Sequence, residues 1–161
     1  MDIFFKREIA RLIKDGSKVI ISGDISKLPK HTQKTVNDAI DKTKDCKNFT
    51  FNICLNYGGK QEIIRAAKAF AEDVKNGKKD VDSLDIDNFN DYLYTKDLPP
   101  VDLLIRTSGE LRTSNYMPYQ LAYAEFLFPK TYWPDFTKEE LRKCLKAYET
   151  RDRRFGGIYE E

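Results

Sequence analysis

Apolar residues recur along the chain with two different periods. Spacings of three and four residues, typical of amphipathic helices, alternate with short apolar runs that are typical of strands. The predicted helices cover residues 2–14, 30–43, 60–75, 117–123 and 138–149, with a shorter one within 85–93. The predicted strands cover residues 18–22, 49–56, 101–105 and 124–128. The last helix begins with a predicted capping box, formed by Thr137 and Glu140.

This alternation predicts an α/β fold, a single domain over residues 1–161 in which a mostly parallel sheet is flanked by helices. Ligands of such sheets bind at the carboxyl ends of the strands. Three predicted loops follow strands, at residues 23–24, 56–59 and 106–109. If their strands are parallel neighbours, these loops converge on one edge of the sheet, where we expect a ligand site.

The charge balance limits the kinds of partner. Lys and Arg number 28 and Asp and Glu 26, which leaves a net charge of only +2. A nucleic-acid-binding protein normally carries a broad basic surface, so no nucleic-acid partner is expected. Any anion site must therefore be local.

The remaining composition is typical of a cytoplasmic protein. The three cysteines, Cys46, Cys54 and Cys144, form no CxxC pair, which favours reduced thiols over a zinc site. The single histidine, His31, is expected at the surface near a helix start. We expect neither a signal peptide nor a membrane span, since charge interrupts the first apolar stretch.

The segment Asp102-Leu-Leu-Ile-Arg-Thr-Ser-Gly-Glu-Leu-Arg-Thr-Ser-Asn115 carries the strongest chemical pattern. A short apolar run ends in a loop of arginines, hydroxyls and a glycine, which suits a phosphate or diphosphate. Arg106 and Arg112 are the candidate clamps, with Ser114 and the Thr113 backbone as neutral donors. The alternative is a solvated turn with incidental arginines.

Glu125 is the one acid in an apolar stretch, residues 121–128. A carboxylate there needs a cation or hydrogen-bond donors, because burying it alone is costly. Mg²⁺ shared with a diphosphate is one solution, and an ion pair with an arginine is the other, which spacing alone favours. Two interpretations of the pair Gly58-Gly59 likewise stay open: a helix start that binds an anion, or a tight turn.

Several ordered motifs together resemble the cis-prenyltransferases, the undecaprenyl diphosphate synthase family. They are Asn56-Tyr-Gly-Gly59, the 102–115 segment, Gln120-Leu-Ala-Tyr-Ala-Glu125, Trp133-Pro-Asp-Phe136 and Arg151-x-Arg-Arg-Phe-Gly-Gly157. The resemblance implies a homodimeric, Mg²⁺-dependent enzyme that adds isopentenyl diphosphate to an allylic diphosphate with cis geometry. It also implies a cytoplasmic enzyme that can contact the membrane surface.

Residue roles follow from the resemblance by position. Arg106, Arg112 and Ser114 would hold isopentenyl diphosphate, and Glu125 would help to place Mg²⁺. Arg154 and Gly156 match the family's Arg-x-Gly tail, which reaches into the site of the partner subunit. After Gly59 the family's Arg-Trp-Asp is replaced by Lys60-Gln61-Glu62, which keeps an acid.

One family segment is missing from the printed sequence. The opening strand and its Met-Asp-Gly-Asn-x-Arg-Trp loop, whose aspartate binds Mg²⁺, do not precede Met1. The chain is therefore interpreted as the C-terminal part of a cis-prenyltransferase, active only when that segment is supplied. The alternatives are a non-catalytic accessory subunit of a heteromeric enzyme and a diphosphate-binding remnant without prenyl chemistry.

Overall fold

The computed structural model describes the backbone of residues 2–151 and the side chains of residues 8–151. The helices are α1 (Asp2–Lys14), α2 (Lys30–Thr43), α3 (Gly59–Lys75), α4 (Ile86–Phe89) and α5 (Lys138–Glu149). The strands are β1 (Ser17–Ser22), β2 (Phe49–Cys54), β3 (Leu103–Ile105) and β4 (Glu125–Leu127). Short 3-10 helices lie at Ile25–Lys27, Val81–Ser83, Asn90–Tyr92 and Trp133–Asp135.

The predicted α/β class is confirmed, because both strand pairs are parallel. The predicted helices 2–14, 30–43 and 138–149 are confirmed with their bounds. The helix predicted at 117–123 is wrong, since this segment forms turns. Met117 has a φ of 45°, outside helical geometry.

The described residues form two compact units, which divide between Asp97 and Leu98. In the first unit β1 pairs with β2, with Ser17 beside Phe49 and Ser22 beside Cys54. Helices α1 and α2 pack on each other and on β1. The core of this layer is buried and apolar, and it consists of Ile9, Val19 and Ala39 with Leu12, Ile21 and Ile53 packed against them.

The second unit contains β3 and β4, whose register places Leu103 beside Glu125 and Ile105 beside Leu127. Helix α5 begins where predicted, because the Thr137 hydroxyl accepts a hydrogen bond from the Glu140 amide at 3.3 Å. The second bond of a capping box would run from the Thr137 amide to the Glu140 carboxylate, and here that carboxylate has other donors. The Glu140 carboxylate instead accepts from Lys143 at 2.7 Å and from Thr131 at 3.3 Å.

The cysteines and the histidine agree with their predicted character. Among the described residues Cys46, Cys54 and Cys144 form no disulfide, and burial raises the pKa of the Cys144 thiol. His31 is exposed in the first turn of α2. Within residues 2–151, no helix is long and apolar enough to cross a bilayer.

Thr43 fastens the end of α2 to the edge of β1. Its hydroxyl accepts a hydrogen bond from the Val19 amide at 2.9 Å and donates to the Ala39 carbonyl at 2.8 Å. Thr43 and Val19 are 0 % and 1 % exposed, so water cannot replace this acceptor. The side chain therefore satisfies a strand amide that β2 does not reach.

We expect Thr43→Val to lower the free energy of unfolding by about 1–3 kcal/mol, because it leaves the buried Val19 amide without an acceptor. Urea unfolding measures the loss, and hydrogen exchange should show faster exchange of the Val19 amide. Thr43→Ser is the control, since it keeps the hydroxyl and should keep that amide protected. Unchanged stability and exchange in Thr43→Val would contradict this account.

Candidate functional site

The loop after β3 folds back onto itself around Arg106. The Arg106 amide donates to the Leu127 carbonyl at 3.0 Å, which continues the β3–β4 pairing by one residue. Its guanidinium donates from Nη1 to the Ser114 hydroxyl at 3.2 Å and to the Arg112 carbonyl. Three of the predicted site residues are thus brought together by one side chain.

The first turn of this loop is tied to the segment that follows β4. The Ser108 amide donates to the Thr131 carbonyl, and the Gly109 amide donates to the Pro129 carbonyl, both at 2.9 Å. Ser108 and Gly109 have φ values of 69° and 64°. Two hydrogen bonds therefore anchor the turn to the segment after β4.

The end of the loop holds unusual backbone geometry. Ser114, Asn115 and Met117 have φ values of 49°, 65° and 45°, in the left-handed region that residues other than glycine rarely adopt. The Tyr116 amide closes a turn on the Thr113 carbonyl at 2.9 Å. Such strained residues cluster at ligand sites, where the surrounding structure holds them in place.

Arg112 is the more accessible of the two candidate clamps. Its side chain is 60 % exposed and forms an ion pair with Glu110 in the same loop. An exposed ion pair is worth little, so a stronger anion can replace Glu110. The loop therefore presents one arginine held by internal hydrogen bonds and one that can change partners.

Glu125 lies at the start of β4, where its amide donates to the Asp102 carbonyl at 2.9 Å. Its carboxylate accepts from Arg151 Nη1 at 2.9 Å, and its side chain is 25 % exposed. The ion-pair alternative that the sequence left open is thus present in the structure. The predicted tail residues Arg154 and Gly156 lie outside the described residues.

The turns after β1 and β2 are adjacent, as parallel pairing predicts. The Asn56 side chain donates to the Asp24 carbonyl at 2.8 Å, and the Asp24 amide donates to the Asn56 carbonyl at 3.3 Å. Gly23 has a φ of 131°, and a Cβ there would lie 2.0 Å from the Leu55 carbonyl oxygen. Only glycine fits between these two turns. The predicted loop at 106–109 belongs to the second unit.

Glu62 is a buried acid whose partners the sequence did not reveal. It is 1 % exposed, and its carboxylate accepts from the Tyr57 hydroxyl at 2.6 Å and from the Tyr94 amide at 2.7 Å. A signal was present, because Glu62 precedes the buried Ala66 and Phe70 at steps of four residues on α3. An acid on the buried face of a helix needs specific donors.

Both strand pairs are parallel, and β3 ends in a loop of arginines and hydroxyls, the chemistry that suits a phosphate or diphosphate. The family described as "Putative undecaprenyl diphosphate synthase" matches residues 1–156. The chain belongs to the undecaprenyl diphosphate synthase family, and the predicted resemblance is confirmed.

Curated relatives support the same assignment. An isoprenyl transferase of Clostridium perfringens is 48 % identical over 155 residues, which cover 96 % of this chain and 61 % of the relative. The ditrans,polycis-undecaprenyl-diphosphate synthase of Micrococcus luteus is 44 % identical over 155 residues, 96 % of this chain and 62 % of the relative. The chain thus spans about three fifths of the length of these relatives.

Solved structures agree on the fold. The lavandulyl diphosphate synthase of Lavandula x intermedia, crystallised with dimethylallyl diphosphate, superposes with a TM-score of 0.91 at 31 % identity. The match covers 96 % of this chain and 67 % of that structure. A probable undecaprenyl diphosphate synthase of Campylobacter jejuni gives a TM-score of 0.80 at 29 % identity, covering 96 % of this chain and 70 % of that one.

We expect Gly23→Ala to lower the free energy of unfolding by more than about 4 kcal/mol, because the new Cβ collides with backbone and not with a flexible side chain. Gly77→Ala is the matched control. Gly77 also has a positive φ, at 70°, but open space surrounds it, so its loss should be about 1–2 kcal/mol. Denaturant unfolding measures both free energies of unfolding. Equal losses in the two variants would show that the close contact between Gly23 and the Leu55 carbonyl does not affect stability.

Proposed function

We propose that the chain is the C-terminal, isopentenyl-diphosphate-binding part of a cis-prenyltransferase. The enzyme adds isopentenyl diphosphate to an allylic, farnesyl-type diphosphate and makes a polyprenyl diphosphate. The observation that carries this proposal is the loop in which the Arg106 guanidinium bonds to Ser114 and Arg112. The names of the relatives, isoprenyl transferase and undecaprenyl diphosphate synthase, support it.

Arg106 is the proposed fixed clamp for isopentenyl diphosphate. Within residues 8–151, both side-chain hydrogen bonds of this residue start from Nη1. A guanidinium has five N–H donors, so its Nη2 and Nε edge remains able to grip a diphosphate through two parallel hydrogen bonds. The contact with Ser114 sets the plane of the guanidinium before the substrate arrives.

Arg112, Thr113 and Ser114 complete the proposed binding loop. A diphosphate carries more charge than a carboxylate, so it displaces Glu110 from the exposed Arg112 guanidinium. The Thr113 backbone and the Ser114 hydroxyl contribute neutral contacts. Fixing the diphosphate end orients the double bond of isopentenyl diphosphate toward the allylic substrate, which lowers the entropic cost of the reaction.

Glu125 is the proposed protein ligand for Mg²⁺, on which the family generally depends, and the ion would take the place that Arg151 holds beside this carboxylate. A carboxylate oxygen suits this ion, which is often bound by one or two carboxylates together with substrate phosphates. Within the described residues no group of three acid, histidine or cysteine side chains could hold a metal, so the diphosphate oxygens would complete the site. When bound, Mg²⁺ would stabilise the diphosphate that leaves the allylic substrate.

The proposal extends to assembly and location. We propose a homodimer, or a heteromer with another cis-prenyltransferase subunit, in which Arg154 and Gly156 reach the partner's site. The enzyme would work in the cytoplasm and contact the membrane surface, because its long polyprenyl product is strongly apolar.

We expect Arg106→Ala to lower kcat/KM for isopentenyl diphosphate by about 100-fold or more in the full-length natural protein, because an oriented hydrogen-bond donor to the diphosphate is lost. Diphosphate release from isopentenyl and farnesyl diphosphates measures the rate, and calorimetry measures binding. Arg106→Lys should recover only part of the loss, since lysine cannot grip two oxygens in a fixed plane.

Arg142→Ala is the control for this experiment, because Arg142 is an exposed arginine that pairs with Glu139 on α5. It should leave the kinetics unchanged. Unchanged binding and turnover in Arg106→Ala would reject the proposed role of the loop.

We expect Glu125→Gln to raise the Mg²⁺ concentration needed for half-maximal activity by about tenfold, because an amide oxygen is a weaker ligand for a hard cation. A titration of activity with Mg²⁺ after removal of metal by a chelator measures the shift. Glu139→Gln, an exposed acid on α5, is the control. An unchanged Mg²⁺ requirement would exclude Glu125 as a ligand.

A further inference from the structure

We propose that Glu62 is a positioning residue that clamps the turn at residues 56–59 in the geometry that diphosphate binding requires. The inference rests on the proposed function and concerns a turn of the first unit. Glu62 acts through its neighbours, and we assign it no contact with substrate. The clamp consists of Tyr57, Glu62 and Tyr94.

The carboxylate of Glu62 is fixed in orientation. One oxygen accepts from the Tyr57 hydroxyl at 2.6 Å, and the other accepts from the Tyr94 amide at 2.7 Å. Both bonds are short, as hydrogen bonds to a charged acceptor are. Because Glu62 is 1 % exposed, water does not compete for either oxygen. The side chain therefore links two separate segments rigidly.

Tyr57 carries this constraint into the turn after β2. The residue before it, Asn56, has a φ of 47° and donates to the Asp24 carbonyl at 2.8 Å. The residue after it, Gly58, caps the start of α3. The turn is thus held by Asn56 on one side and by Glu62 on the other. It lies at the carboxyl end of a parallel strand, where α/β proteins bind their ligands.

The opposite end of the clamp is supported by Arg65, one helical turn after Glu62. Its guanidinium lies 4.0 Å from the centre of the Tyr94 ring and donates to the Tyr92 carbonyl at 2.6 Å. Burial raises the pKa of the Tyr94 hydroxyl, and the Arg65 charge opposes that rise. Glu62 and Arg65 thus contact the other clamp residues from one face of α3. A helix is a rigid element that can hold a site in place.

A positioning role and a purely structural role predict different kinetics. If Glu62 only supports folding, a weakened variant contains fewer active molecules, so kcat falls while KM stays unchanged. If Glu62 holds the turn in its binding geometry, folded molecules bind a diphosphate less well, so KM rises. The split between KM and kcat separates the two roles.

The experiment uses the variants Tyr57→Phe and Glu62→Gln of the full-length natural protein. The first removes only a hydroxyl, and the second keeps the size of the side chain but removes its charge. We expect each to raise KM for at least one of the two diphosphates by roughly tenfold or more. We also expect the amides of residues 56–59 to exchange hydrogen at least about tenfold faster.

Glu72→Gln is the matched control, because Glu72 is an exposed acid on the same helix. It should change neither KM nor the exchange of the turn. Unchanged exchange at residues 56–59 in both test variants would overturn the clamp, and so would faster exchange with both KM values unchanged. Absence of turnover in the full-length natural protein would instead reject the proposed function, whereas the exchange measurement judges the clamp by itself.

Discussion

Parallel pairing is the constraint on which the other features depend. Because Ser22 lies beside Cys54 and Ile105 lies beside Leu127, the turns that follow paired strands leave from the same edge. In the first unit this forces two turns so close together that a side chain at Gly23 would collide with the Leu55 carbonyl. In the second unit it lets the Arg106 amide extend the ladder, which fixes where the arginine loop begins.

The periodicity of apolar residues predicted α1, α2 and α5 with their bounds, because these segments have ordinary helical backbone geometry. It failed at 117–123, where the pattern was helical but Met117 adopts a left-handed conformation. Periodicity indicates which residues share a helix face, and it carries no information on the sign of φ at a methionine. The loop residues were predicted from their chemistry, whereas the contacts of Arg106 with Ser114 and Arg112 depend on that backbone.

Glu62 shows a second limit of reasoning from sequence. The family motif indicated that an acid belongs after Gly58-Gly59, and Lys60-Gln61-Glu62 keeps one. The partners of the acid are a tyrosine hydroxyl five residues earlier and a backbone amide 32 residues later. A backbone amide has no side-chain identity, so no residue pattern marks it. Interactions of this kind become visible only when the fold brings the segments together.

Two arginines of the second unit form ion pairs within the chain itself. Arg112 pairs with Glu110, and Arg151 pairs with Glu125, which agrees with a net charge of only +2. A singly charged anion would gain little binding free energy here, because it would only replace a carboxylate that already pairs with the arginine. In the proposed function a diphosphate would offer several oxygens to Arg106 and Arg112 together, and their binding free energy would exceed the loss of one weak surface ion pair. Under the proposed function, internal pairing would therefore favour a diphosphate over a simple anion in this nearly neutral protein.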